Sequence, residues 1–107
     1  MSRAVVLTPD EEEALAKLGL RLKLARLRRN LTQLEVAQRS GATRKSIVAL
    51  EEGKPSVGLG LLVKLLGVLG YPSRIADLLE SDPLGEDVAI VHGRKQARSK
   101  RDGMADF

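Results

Sequence analysis

The chain contains no cysteine and almost no aromatic residues. Among its 107 residues are one Phe, one Tyr and no Trp. Without cysteine, neither a disulfide framework nor a thiolate metal site can form. Because 43 % of the residues are apolar but so few are aromatic, the core must be aliphatic, as in packed helices. We predict no metal and no cofactor.

Long apolar runs are also missing. The most apolar segment, residues 57–71, has fifteen residues with Lys64 among them, too short and too interrupted to cross a bilayer. The first thirteen residues lack the apolar run and cleavage site of a secretory signal. We therefore expect a cytoplasmic protein without a membrane partner.

The residues that most enzymes use are scarce as well. His92 is the only histidine, and it lies in a polar C-terminal segment. The glycines at positions 58, 60, 67 and 70 surround a predicted helix, so they form no phosphate-binding loop after a strand. We expect no enzymatic activity.

Positive charge is present and concentrated. Residues 14–54 carry ten cations against three acids, a net charge of +7, within a chain whose total is +4. A cationic region of this kind attracts polyanions, although a run of charge is also typical of a solvated helix face. The order and spacing of the predicted helices distinguish between these two interpretations.

Capping signals predict three helices in the first half of the chain. Thr8 and Pro9 begin a long amphipathic helix that runs to about Arg29 and has a potential break near Gly19. The capping box of residues 32–35 begins a short second helix, and Gly41 ends it in a tight turn. A third helix follows over residues 43–52.

Two further helices are predicted beyond Pro55. The fourth begins between Ser56 and Leu59 and ends at Gly70, and the fifth spans about 73–81. The predicted buried face of the fourth helix consists of Leu62, Leu65, Leu66 and Leu69. After Pro83 come a short strand-like run, 88–91, and a basic tail that we expect to be loosely ordered or to bind a partner.

Two short helices joined by a glycine turn and packed on a longer helix form a helix-turn-helix. The segment LRLKLARLRRNLTQLEVAQRSGATRKSIVALEEGKPSV resembles the Cro/repressor (XRE) family of bacterial and phage DNA-binding domains, and the resemblance covers roughly residues 18–70. It implies an all-α, five-helix lambda-repressor-like domain over residues 1–82, followed by an extension over 83–107.

The resemblance assigns core positions near the turn. Ala37 is small because two helices cross there, and Ile47 and Leu50 fill the space between them. Leu27 and Val36 are expected to support this core. The resemblance also implies a partly buried salt bridge between Arg26 and Glu51, the alternative being an exposed ion pair of little value. Two positions depart from the family pattern: Ser40 stands where the family often has an apolar residue, and the apolar Leu34 occupies a usually solvent-facing position.

The resemblance also places the third helix in the DNA major groove. Its first turn carries cations where the helix dipole favours anions, so an external anion such as DNA would compensate them. Ser46 contacts a phosphate or base edge, or turns back to the helix cap. The expected base contacts are Arg44, Lys45, Ser46 and Ala49. The expected phosphate contacts are Thr32, Gln33, Thr43 and Lys54.

Family resemblance further implies a homodimer whose two recognition helices meet half-sites of a double-stranded operator. Ile75, Leu78 and Leu79 are either the dimer interface or the closing layer of the monomer core. The expected function is a transcriptional repressor of its own operon. The alternatives are an antitoxin of the HipB type that binds a HipA-like kinase toxin, and a helical adapter without specific DNA binding.

Overall fold

A computed structural model describes residues 5–86 of the chain, and every regular element in that range is helical. The elements are α1 (Pro9–Arg28), α2 (Gln33–Ser40), α3 (Arg44–Glu51), α4 (Leu59–Leu69) and a 3₁₀ turn (Arg74–Asp77), and residues 83–86 are also helical. The predicted all-α fold is therefore confirmed. The four α-helices belong to one compact unit that ends at Ile75, and a second unit begins at Ala76. The predicted strand at 88–91 and the basic tail lie outside the described residues.

The first helix is continuous, so the break considered near Gly19 is absent. Thr8 caps it with a complete capping box to Glu11, and Pro9 takes the first helical position. Gly19 is buried and meets the end of α3 instead of interrupting α1. A Cβ atom at this position would lie 2.8 Å from the carbonyl carbon of Glu51 and 2.9 Å from the amide nitrogen of Gly53. The glycine therefore allows close approach of two backbones.

The core is aliphatic and lies between α1, the α2–α3 pair and α4. Ile47, Leu65 and Val36 are its largest fully buried side chains. The other buried apolar residues are Leu22, Ala37, Leu50 and Leu69. The core positions predicted at 36, 37, 47 and 50 are confirmed.

Two core predictions need correction. Leu27 is 48 % exposed and does not support the core, because the buried face of α1 passes through Leu22 and Arg26 instead. On α4, Leu62 and Leu66 are only partly buried and pack against the edge of the core.

The fourth helix ends as expected, but the fifth helix is much shorter than predicted. Gly70 has φ +102°, a left-handed conformation that stops α4. The following segment forms only the four-residue 3₁₀ turn before Leu79, whose φ of +63° is incompatible with helix continuation. Just after α4, the guanidinium of Arg74 lies over the ring of Tyr71, 4.4 Å from Cζ to the ring centroid, in a cation–π contact.

The α2 position that departs from the family pattern is buried. Ser40 is the last residue of α2 and is 8 % exposed, and its hydroxyl has no hydrogen-bond partner among the described residues. An unpaired buried hydroxyl costs free energy, because it loses its hydrogen bonds to water.

Candidate nucleic-acid interface

A three-residue connection fixes the angle between α2 and α3. Gly41 has φ +67°, a left-handed conformation that glycine adopts at little cost. The amide of Ala42 donates to the carbonyl of Ala37 at 2.9 Å, which closes the turn against α2. Thr43 then accepts from the amide of Ser46 and begins α3. The turn therefore sets how the first residues of α3 face solvent.

The outer face of α3 carries the cations predicted to contact bases. Arg44 and Lys45 are exposed on its first turn, and Ala49 is half-buried one turn further along. On the opposite face, Ile47 and Leu50 enter the core. No acid lies in the first turn of α3, so the positive end of the helix dipole adds to these charges.

The hydroxyl of Ser46 already makes one hydrogen bond within the N-terminal cap of α3. Its Oγ lies 2.9 Å from Oγ1 of Thr43, in a contact where either hydroxyl can donate. This geometry matches the alternative in which Ser46 turns back to the cap. Both hydroxyls can still accept or donate one further hydrogen bond.

A buried ion pair joins α1 to the end of α3. Arg26 Nε is 2.6 Å from Glu51 Oε2, and Arg26 Nη2 donates to Glu51 Oε1 at 3.0 Å. The two residues are 6 % and 7 % exposed, and Arg26 Nη1 donates to the carbonyl of Leu31 at 2.9 Å. The hydrogen bonds to Glu51 raise the pKa of Arg26 above its already high ordinary value. The pair is thus bidentate.

The structure adds Gln33 to this pair. Its Nε2 donates to Glu51 Oε1 at 3.1 Å, so one carboxylate holds the last turn of α3 to the first residue of α2. Sequence reasoning assigned Gln33 to a phosphate and missed this bond, because nothing in the sequence signals a contact across eighteen positions. The same amide has a second N–H that can donate elsewhere.

The start of α2 presents the other predicted contacts. Thr32 is exposed and accepts from the amide of Glu35 at 3.0 Å, while Glu35 accepts from the amide of Thr32 at 2.9 Å. This capping bond holds the pKa of Glu35 below its usual value. Lys54 is also exposed, just beyond α3, and its amide donates to the carbonyl of Ala49 at 3.0 Å.

The predicted dimer residues differ in exposure. Ile75 is half-buried, whereas Leu78 is 73 % and Leu79 81 % exposed.

The short helix pair, its glycine turn and the outward-facing start of α3 define a helix-turn-helix domain. A family model described as "Helix-turn-helix" matches residues 22–75, just over half of the chain. The chain belongs to this family, the XRE-type helix-turn-helix proteins, whose domains bind DNA and are not enzymes. A search of curated proteins found no match to the chain.

Within residues 5–86, no helix is long and apolar enough to span a membrane. The same residues contain no group of three or more histidine, aspartate or glutamate side chains able to hold a metal ion.

Proposed function

We propose that this protein is a sequence-specific transcriptional regulator that inserts α3 into the major groove of double-stranded DNA. The observation that carries the proposal is the exposed pair Arg44 and Lys45 on the first turn of a helix whose opposite face is fixed in the core. Arginine binds guanine O6 and N7 in a bidentate manner, and lysine reaches the same atoms or a phosphate. In this proposal Ala49 would touch a thymine methyl group, and Ser46 would assist at a base edge.

Phosphate contacts would fix the register of α3 on the duplex. The N-terminus of α2 offers the backbone amides near Thr32 and the second amide proton of Gln33. Thr43 and Lys54 flank α3 at its two ends and would contact further phosphates. The Arg26–Glu51 pair supports this proposal because, through Gln33, it connects α2 to α3.

We further propose that the protein works as a homodimer that represses its own operon. Leu78 and Leu79 are exposed apolar residues, and together with Ile75 they offer a surface for a second copy. Two copies would present recognition helices to half-sites about one DNA turn, roughly 34 Å, apart.

A second candidate is an antitoxin or adapter role in which protein binding is the main activity. It is favoured by Leu34, which is 53 % exposed on α2 beside the proposed phosphate contacts. A HipA-like kinase toxin is the partner proposed for the antitoxin form. In an adapter without specific DNA binding, the cations would serve solubility alone.

The test is fluorescence anisotropy with the duplex upstream of the gene and a scrambled duplex, across a salt series. We expect selective binding by wild type that weakens steeply with salt, because phosphate contacts release counterions. The Arg44→Ala/Lys45→Ala variant should lose selectivity by roughly tenfold or more, since each base pair read through a good bidentate contact is worth about 1–3 kcal/mol.

The matched control is Lys17→Ala/Lys64→Ala, which removes the same charge from exposed positions on α1 and α4. It should retain the selectivity of wild type. Equal, weak binding of both duplexes by wild type and by the Arg44→Ala/Lys45→Ala variant would reject sequence-specific regulation and favour the adapter.

A further inference from the structure

The first helix has a second apolar stripe, on the side opposite its buried face. Leu20, Leu24 and Leu27 are 52 %, 40 % and 48 % exposed. Their spacing of four and three residues places them in one row along the helix. Leu22 and Arg26, by contrast, face the core. Three leucines in one row differ from scattered exposed leucines, which are normal on protein surfaces.

The stripe continues beyond the end of α1 into a groove of about 630 Å³. Leu27, Leu31 and Leu34 supply the apolar part of its lining, and Lys23 and Arg44 lie at the same groove. We call Leu20, Leu24, Leu27 and Leu34 the leucine surface. Its α1 part alone, from Leu20 to Leu27, is roughly 10 Å long, the length of about two helical turns. A partner helix recognises such a row through its own i, i+3/i+4, i+7 apolar residues.

Cations flank the leucine surface on both sides. On the helical wheel of α1, Arg21 and Arg28 lie on one side of the stripe and Lys23 lies on the other. All three are exposed, and within residues 5–86 none of them takes part in an ion pair. An apolar row with unpaired cations along both edges complements a helix whose own apolar row is edged with acids.

We propose that the leucine surface binds an acidic amphipathic helix of a partner protein. A second copy of this chain fits poorly. Antiparallel pairing about Leu24 would place Arg21 beside Arg28 of the other copy, and parallel pairing would place these arginines beside Lys23. The chain's own segment 94–107 also fits poorly, because it carries five cations against two acids. DNA would meet the cations but would leave the leucines exposed.

The probe is a fluorescein-labelled helical peptide of about 20 residues with leucines at heptad positions a and d and glutamates at e and g. Binding to the full chain is measured by anisotropy. We expect the Leu24→Gln/Leu27→Gln variant to bind it roughly tenfold more weakly or worse, because two buried leucine contacts are lost. A peptide with lysines in place of the glutamates should bind wild type at least about tenfold more weakly.

The matched control is Leu59→Gln, which changes a leucine that is 70 % exposed at the start of α4. It should bind the acidic peptide as wild type does. Far-UV circular dichroism checks that all variants remain helical, as expected for substitutions at exposed positions. Equal binding by Leu24→Gln/Leu27→Gln and wild type, or equal binding of the acidic and basic peptides, would overturn the proposal. So would sedimentation showing a wild-type dimer that Leu24→Gln/Leu27→Gln dissociates, because the surface would then join two copies.

Discussion

The carboxylate of Glu51 receives three hydrogen bonds, two from Arg26 and one from Gln33. Removing a carboxylate and a guanidinium from water costs several kcal/mol for each ion, and only excellent mutual geometry offsets this cost. The bidentate pair supplies such geometry. We therefore infer that the pair chiefly aligns α1, α2 and α3, and that it adds little to the free energy of unfolding.

The substitution Glu51→Gln tests this account of the pair. It leaves the Arg26 guanidinium buried without a counter-charge, so we expect a loss of about 3–5 kcal/mol in the free energy of unfolding, measured in urea. The apolar double variant Arg26→Met/Glu51→Leu removes both charges and should recover most of the loss. A Glu51→Gln protein as stable as wild type would contradict the account.

Gly19 provides a second test at the residue scale. A Cβ atom there would overlap the backbone at Glu51 and Gly53, so Gly19→Ala should destabilise the fold by about 1–3 kcal/mol or more. Gly60, on α4, has no atom within 4 Å of such a Cβ. Gly60→Ala should therefore stabilise the protein by about 0.5–1 kcal/mol through helix propensity. Thermal unfolding of the two variants compares them directly, and shifts of the same sign would contradict the predicted backbone contact.

Ser40 is a natural residue whose replacement we expect to stabilise the protein. Its buried hydroxyl has no partner among the described residues, so Ser40→Ala deletes a polar group that costs about 1–3 kcal/mol when unsatisfied. We expect urea unfolding to show higher stability for Ser40→Ala than for wild type. Lower stability would indicate that the hydroxyl is hydrogen-bonded in solution.

At the scale of elements, local chemistry determines where the first four helices begin and end. Both predicted threonine caps at α1 and α2 carry full capping boxes, and Gly41 and Gly70 end their helices in left-handed conformations. These features depend on neighbouring residues only, so the sequence predicts them. The fifth helix was overestimated because its apolar spacing carries no information about the left-handed Leu79 that ends it.

The capping box of α2 predicts a specific response to acid. The pKa of Glu35 is lowered in the folded protein, chiefly by its bond from the amide of Thr32. A lowered folded-state pKa contributes stability that is present above the usual pKa of 4.5 and is lost as pH falls through the folded value. Wild type should therefore exceed Glu35→Gln in stability at pH 7, and urea unfolding should show the difference shrinking below about pH 4. A difference independent of pH would contradict this assignment.

Long-range packing accounts for what the sequence could not predict within these elements. Leu27 fits the helical period of α1 as well as Leu22 does, yet it is 48 % exposed. Periodicity cannot choose between two apolar rows on one helix, because the choice depends on where α2 and α3 pack. The Gln33–Glu51 bond escaped prediction for the same reason.

At the scale of the whole molecule, the segment 14–54, which contains the helix-turn-helix, carries a net charge of +7. Charge and motif together indicated a DNA-binding domain, and the family match supports that conclusion. In the structure, the cations of this segment differ in location and burial. Arg26 is buried in an ion pair, Arg44 and Lys45 stand on α3, and a further group flanks the leucine surface. The sequence gives the number of cations, but only the fold shows which of them are buried, which lie on α3 and which flank the leucine surface.

The most direct test of the central claim is a ¹⁵N-amide NMR titration of the full chain with its upstream duplex. If α3 reads the major groove and the start of α2 contacts phosphate, the largest shifts should fall on residues 32–34 and 43–49, with smaller changes across residues 59–69 of α4. Shifts concentrated on α4, with residues 43–49 unchanged, would contradict recognition by α3.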